Sequence, residues 1–231
     1  MAALVVKKQT SILITLLTYL IIIINATMTA ASAVGCSTDH DLTSGFESLP
    51  LRKENFRILK PYDIPLEQRY SFINGVHKCW VYSTDKPHSP ASKTLPRTEI
   101  GIHGYGYRSG VWQFEGYGYV PKGTTGVCIM QIFGATAPRA SSAMVRVYDG
   151  NLVFYRRKVL AENIYDKWFR LNVIHDVGAS KVQIYIDGEL KLETKDGGGT
   201  VHTFKCGVYA QDKDSNYMES RWKDLKVLRK L

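Results

Sequence analysis

"KVQIYIDGELKLET" (residues 181–194) sets Asp187-Gly188 between two runs in which apolar and polar side chains alternate. Alternation is the strand period, because successive side chains leave opposite faces of an extended chain. Asp-Gly between such runs is the strongest short cue for a β-hairpin, since both turn positions need a positive φ. The pattern extends outward in both directions. "AMVRVY" and "NLVFYRR" flank a second Asp-Gly at 149–150. "KWFRLNVIHDV" (167–177), "FKCGVYAQ" (204–211) and "SRWKDLKVL" (220–228) read as further strands. "GVCIMQIFGA" (126–135) is apolar on both faces, as a central strand is. Helical periodicity is hard to find. About ten or more strands at short spacing predict an all-β fold, an antiparallel β-jelly-roll sandwich. The segment 40–75, with Pro50, Pro61 and Pro65, is expected to be irregular and to wrap the sandwich.

The chain begins differently. Lys7 and Lys8 precede the apolar run "SILITLLTYLIIII" (11–24) and the small-residue exit Ala31-Ser32-Ala33. A basic start, a short apolar middle and a small-residue exit describe a secretory signal peptide. A membrane anchor is the competing reading, but the run falls short of the roughly 20 apolar residues a spanning helix needs. Residues 1–33 are therefore expected to be removed, leaving 34–231 as one domain without a transmembrane segment. The one glycosylation sequon, Asn25-Ala26-Thr27, falls in the removed piece. The formal net charge is +9, of which Lys7 and Lys8 contribute two. A basic secreted domain suits an anionic partner, such as an acidic glycan, a membrane surface or an organic acid. Ordinary solubility charge explains the excess equally simply, as no run of five like charges occurs. Cys36, Cys79, Cys128 and Cys206 survive cleavage, and an oxidising route permits one or two disulfides among them.

Strand parity locates the polar chemistry. "PRTEIGIHGYGY" (96–107) and "VWQFEGYGYV" (111–120), joined at "RSG", read as a hairpin. Thr98, Ile100, Ile102, Trp112, Phe114 and Val120 then share a core face. Arg97, Glu99, His103, Tyr105, Tyr107, Gln113, Glu115, Tyr117 and Tyr119 share the other. Gln131 lies opposite Cys128 on its strand, and Tyr209 opposite Cys206, which sends both cysteines towards the core, bonded to each other or simply buried. Arginine and tyrosines on one sheet face suit sugar stacking and carboxylate clamping. A tyrosine-rich surface packed under a loop fits the same pattern.

Other chemistries lack their signatures. "DKDSN" (212–216) starts like a calcium loop, but Tyr217 stands where the loop needs glycine. "DGGGT" (196–200) lacks the lysine and helix of a phosphate loop. The six histidines show no ligand spacing and no serine-hydrolase elbow occurs, so neither metal nor cofactor is expected, nor a nucleic-acid partner.

Three segments, "PRTEI" (96–100), "QIF" (131–133) and "FKCGVYAQ", resemble in order and spacing the strand motifs of alginate lyase-like polysaccharide lyases, family seven and its glucuronan-lyase relatives. "PLEQRYSFINGVHKCWVYSTDKPHSP", "SGVWQFEGYGYVP" and "NIYDKWFRLNVIHDV" are more similar to the plant branch of that superfamily, the citrate-binding proteins. The resemblance runs from about Phe46 to Leu228. It implies a jelly roll whose concave sheet forms an open groove, and a secretory destination, vacuole lumen or cell wall. In active relatives a base removes the C5 proton of a uronate whose carboxylate is neutralised by donors. Carried over, Arg97 and Gln131 would bind the carboxylate, Glu99 would hold Arg97, and Tyr209 would protonate the leaving oxygen. Lys205, Gln211 and Tyr117 would complete the ligand contacts, and Gly207 would leave room for a sugar ring. Two departures stand out. Phe133 replaces the family's histidine, with His88 or His103 as stand-ins or as plain loop histidines. Gly101 replaces a usual arginine. A binding protein for citrate or an acidic polysaccharide, a polyuronate lyase, and a structural glycan-binding module are the three functions compatible with this pattern. The chain is expected to be a monomer.

Overall fold

The computed structural model describes residues 41–231. The expected signal peptide, the sequon and Cys36 lie outside the described residues. In chain order the strands are β1 (Phe46–Leu49), β2 (Phe56–Leu59), β3 (Tyr70–Ile73), β4 (Val76–Tyr82) and β5 (Arg97–Ile102). β6 (Val111–Tyr119), β7 (Val127–Phe133), β8 (Ser141–Tyr148), β9 (Asn151–Phe154) and β10 (Lys158–Ala161) follow. β11 (Trp168–Asp176), β12 (Lys181–Ile186), β13 (Glu189–Lys195), β14 (Thr203–Ala210) and β15 (Tyr217–Lys230) complete the chain. They form two antiparallel sheets, one ordered β13-β12-β11-β6-β15-β4-β3 with β1 added on β15, the other ordered β10-β9-β8-β7-β14-β5-β2. This is the expected jelly-roll sandwich. No helix among the described residues is long and apolar enough to cross a membrane.

The core lies between the sheets. Phe114, Leu171, Met218 and Trp222 come from the larger sheet, and Ile100, Met130, Ile132 and Phe204 from the smaller; all are fully buried. A polar tie crosses this core. The Trp222 indole donates to Ser220 Oγ at 3.0 Å, and Ser220 donates to the Gly207 carbonyl of the opposite sheet at 2.7 Å. Both Asp-Gly hairpins form, with Asp149, Gly150, Asp187 and Gly188 all at positive φ.

Four expectations need correction. The first concerns 40–75, which contains three strands rather than an irregular wrap. Asn74-Gly75 is a third positive-φ turn, closing β3 onto β4. The second concerns 96–120, which is not a hairpin. β5 pairs with β2 and β14, whereas β6 pairs with β11 and β15 in the other sheet. The eight residues between them cross from one layer to the other, because each strand has two partners already and both strands are largely buried. Gln113, Glu115, Tyr117 and Tyr119 therefore lie in the opposite sheet from Arg97 and Glu99. Tyr107 is in the core, its ring stacked 4.8 Å from that of Trp112 and its hydroxyl bonded to His175 Nδ1 at 3.0 Å.

The third correction is a parity flip in β7. A bulge between Cys128 and Met130 places Ile129 and Met130 both in the core. An extra residue reverses alternation on one side of the bulge. Cys128 consequently pairs with Tyr209 and Arg146 on the same side as Gln131, while Cys206 faces the core. Cys79, Cys128 and Cys206 are all free. The fourth concerns Gly207. Its φ is +132°, and a Cβ there would stand 2.4 Å from the Thr98 carbonyl oxygen. No L side chain fits that backbone. Gly207 serves the close approach of β5 to a second bulge, in β14, and makes no space for a sugar.

Candidate functional site: a basic groove on the seven-stranded sheet

Arg97 and Glu99 sit two apart on β5, Gln131 on β7, and Lys205 and Tyr209 on β14, the strand between them. Neighbouring strands lie about 5 Å apart, so ladder pairing gathers these side chains on one outer face. Tyr209 pairs with Arg97, and Lys205 with both Gln131 and Gly101.

Glu99 is the hub, and it is buried. Arg97 Nη1 donates to its Oε2 at 3.1 Å, and the Gln131 amide donates to its Oε1. Gln131 in turn accepts from Ser141 Oγ at 2.6 Å. Arg97 Nη2 reaches Thr94 Oγ1 at 3.0 Å, and the guanidinium lies 3.6 Å from the Tyr209 ring centroid. Burial pushes the Glu99 carboxyl up, opposed by the charges of Arg97 and Lys205 and by the Gln131 donor. Burial likewise pulls the Lys205 ammonium down, with Glu99 opposing. One anion beneath two cations leaves the surface positive.

Two adjoining cavities open above this floor. The inner one, about 410 Å³, is bordered by Arg97, Gln131, Arg139, Arg146, Tyr155 and Tyr209. The outer one, about 750 Å³, is bordered by Arg57, Lys60, Tyr62, Gly101 and His103. Leu59, His88, Phe133 and Lys205 border both. Among the described residues no carboxylate lines either one. The space left by Gly101 is real, since a Cβ there meets nothing closer than 3.5 Å, and Arg57 stands directly across the ladder from it. A cation from β2 thus adjoins the position where the resembled family carries arginine.

The expected site residues separate accordingly. Arg97, Gln131, Lys205, Tyr209, Gln211 and His88 come together at the inner cavity, with Glu99 underneath. The Gln211 amide nitrogen is turned to the carbonyls of Tyr209 and Ala210, at 3.1 and 3.2 Å. His103 is exposed and belongs to the outer cavity. Tyr117 is excluded from the groove: it is a β6 residue of the other sheet, with Lys223 Nζ 5.6 Å from its ring. His88 Nδ1 is buried without a partner among the described residues, and burial plus the Arg97 and Lys205 charges lower its pKa. Its imidazole is therefore neutral at neutral pH, a proton acceptor.

Arg57, Lys60, Arg139, Arg146 and Tyr155 escaped the sequence reading. Arg146 alternates with core Val145 and Val147, yet only the pairing of β8 with bulged β7 sets it across from Cys128, on the rim of the cavity that Gln131 also borders. Tyr155 follows β9 at a positive φ of 52° and donates to the Ser141 carbonyl at 2.6 Å, with the Arg146 guanidinium 5.1 Å from its ring.

The chain is thus a two-sheet jelly roll carrying an arginine-and-tyrosine groove over a buried Arg–Glu–Gln network. The model of the alginate lyase family matches residues 49–229, and the chain belongs to that family. The chain is 52% identical over 193 residues to the citrate-binding protein of Hevea brasiliensis, covering 83% of this chain and 80% of that one. In fold it is similar to the alginate lyase AlgAT5 of polysaccharide lyase family 7, with a TM-score of 0.63 at 16% identity over 77% of this chain and 95% of that one. The alginate lyase of a Corynebacterium species gives 0.58 at 14% over 71% and 82%. At these identities the likeness to the lyases is one of fold.

Proposed function

We propose that the protein binds a carboxylate ligand, citrate or an acidic polysaccharide, in the groove of the seven-stranded sheet and performs no chemistry on it. The observation that carries this reading is the lining of the inner cavity. Arg97, Arg139, Arg146 and Lys205 border it, and among the described residues no carboxylate lines it, Glu99 lying beneath. Guanidinium groups recognise carboxylates by paired, charge-assisted hydrogen bonds. The relative from Hevea, citrate-binding by name, supports the choice of ligand. Phe133, which can neither take a proton nor neutralise charge, supports binding over catalysis. The basic, small-residue-terminated start of the chain supports a secretory route, to a vacuole lumen or the cell wall.

A second reading has its own observation. His88 and Tyr209 border the same cavity. A neutral His88 could take the C5 proton of a uronate held by Arg97 and Gln131, with Tyr209 giving a proton to the departing C4 oxygen as that C–O bond breaks. One experiment separates the two. Purified protein is incubated with glucuronan, alginate and polygalacturonate from pH 4 to 8 while absorbance of the unsaturated product is followed. Product that disappears in Tyr209→Phe defeats the binding-only reading. Calorimetric heat with citrate, lost in Arg146→Gln, together with no product from any polymer, supports it.

A further inference from the structure

The two cavities of the groove adjoin along the sheet and share four lining residues, Leu59, His88, Phe133 and Lys205. Phe133 ends β7 with 39% of its surface exposed, on the border between the two cavities. The Lys205 ammonium, which also borders both cavities, sits 3.7 Å from its ring centroid, a cation–π contact that braces the ring there. On the inner side of this pair, Arg97 Nε and Arg146 Nε are buried without hydrogen-bond partners among the described residues. Buried donors left unpaired in the free protein are costly and are satisfied when an acceptor arrives. The far wall is anchored: Tyr155 and Gln131 both bond Ser141, and the Gly134 and Ala135 amides both donate to the Ala140 carbonyl.

We propose that Phe133, braced by Lys205, is a partition that fits the inner cavity to a single compact polycarboxylic acid and stops a polyuronate chain from lying through it. This rests on the carboxylate-binding reading above and narrows its ligand. Four cations around about 410 Å³ can meet two or three carboxylates on one small skeleton at once. A polyuronate spaces its carboxylates one per ring and would need the position of the Phe133 ring to continue into the outer cavity. The outer cavity, with Arg57 and Lys60, is then a separate anion-binding subsite that a small acid leaves empty.

Calorimetry with citrate and with a pentamer of galacturonic acid tests the partition in the wild type, Phe133→Ala and Phe133→Trp. The exposed ring is not part of the core, so both variants should fold, which circular dichroism checks. The wild type and Phe133→Trp should prefer citrate. In Phe133→Ala the ratio of pentamer to citrate affinity should rise by about tenfold or more. An unchanged ratio in Phe133→Ala, or a wild type that binds the pentamer as well as citrate, overturns the partition and leaves carboxylate binding intact. Binding of neither probe by wild type or variants overturns both.

Discussion

The guanidinium of Arg97 is stacked on the Tyr209 ring at 3.6 Å while its Nη1 is paired with buried Glu99 at 3.1 Å. One side chain thus compensates the buried acid on the groove floor and fixes the neighbouring aromatic. The aromatic contact is directly cross-strand, because Arg97 pairs with Tyr209, whereas the ion pair runs along β5 between side chains two residues apart on one face.

Removing the cation alone should be severe. Arg97→Ala leaves Glu99 buried with less compensation and should cost about 3–5 kcal/mol. Glu99→Gln in the same chain should restore much of that, since the uncompensated charge is gone. Urea unfolding of the two single variants and the double variant checks the coupling; purely additive losses would contradict it.

Gly207→Ala should destabilise by at least about 2 kcal/mol, from a forbidden φ and a clash with the Thr98 carbonyl. Gly101→Ala, where the new Cβ makes ordinary contacts, should stay within about 0.5 kcal/mol. The readout is the urea midpoint at unchanged slope.

Acid should weaken the fold through His77. Burial lowers its pKa to about 4, where Phe56 and Phe72 pack its ring and Tyr70 bonds Nδ1 at 2.7 Å. The unfolded chain takes up this proton near pH 6.5, so the unfolded state binds more protons between that value and about 4. Stability is fully present above the upper limit and falls as pH drops through the window, with a limiting slope of about 1.4 kcal/mol per pH unit from this group. His202, lowered in the same direction by burial, adds to the trend. His77→Phe should flatten the dependence of the unfolding midpoint between pH 7 and 5 without abolishing it.

Within the groove, the two flanking arginines should differ. Arg146 is half-buried and Arg139 exposed. Arg146→Gln should weaken citrate binding by about 10- to 100-fold, as loss of a desolvated charge-assisted bond does. Arg139→Gln should cost only about threefold and most of that at low salt. Titrations at two ionic strengths measure both.

Local pattern carried the architecture a long way. Asp149-Gly150 and Asp187-Gly188 announced their hairpins because their side chains and backbone needs are settled within four residues. Asn74-Gly75 held the same cue in a stretch whose prolines read as loop. Arg97, Glu99, Gln131 and Tyr209 were legible as a set through family resemblance and alternation. Cys128 was not, because one bulge residue reverses parity and nothing local in "GVCIMQIF" marks it. Tyr117 misled for a different reason: its strand follows β5 closely in the chain yet belongs to the other sheet.

What residue order settled was what one strand or one turn decides alone where no bulge intervenes: extended chain, the two Asp-Gly hairpin turns and the alternation along unbroken strands. Strand neighbours were decided only when the sandwich closed, since pairing depends on which partners compete for each edge. Arg146 and Tyr155 therefore joined Arg97 around one cavity through the β7–β8–β9 ladder. Phe133 came to stand in the groove because Lys205, 72 positions further along the chain, is its cross-strand diagonal neighbour.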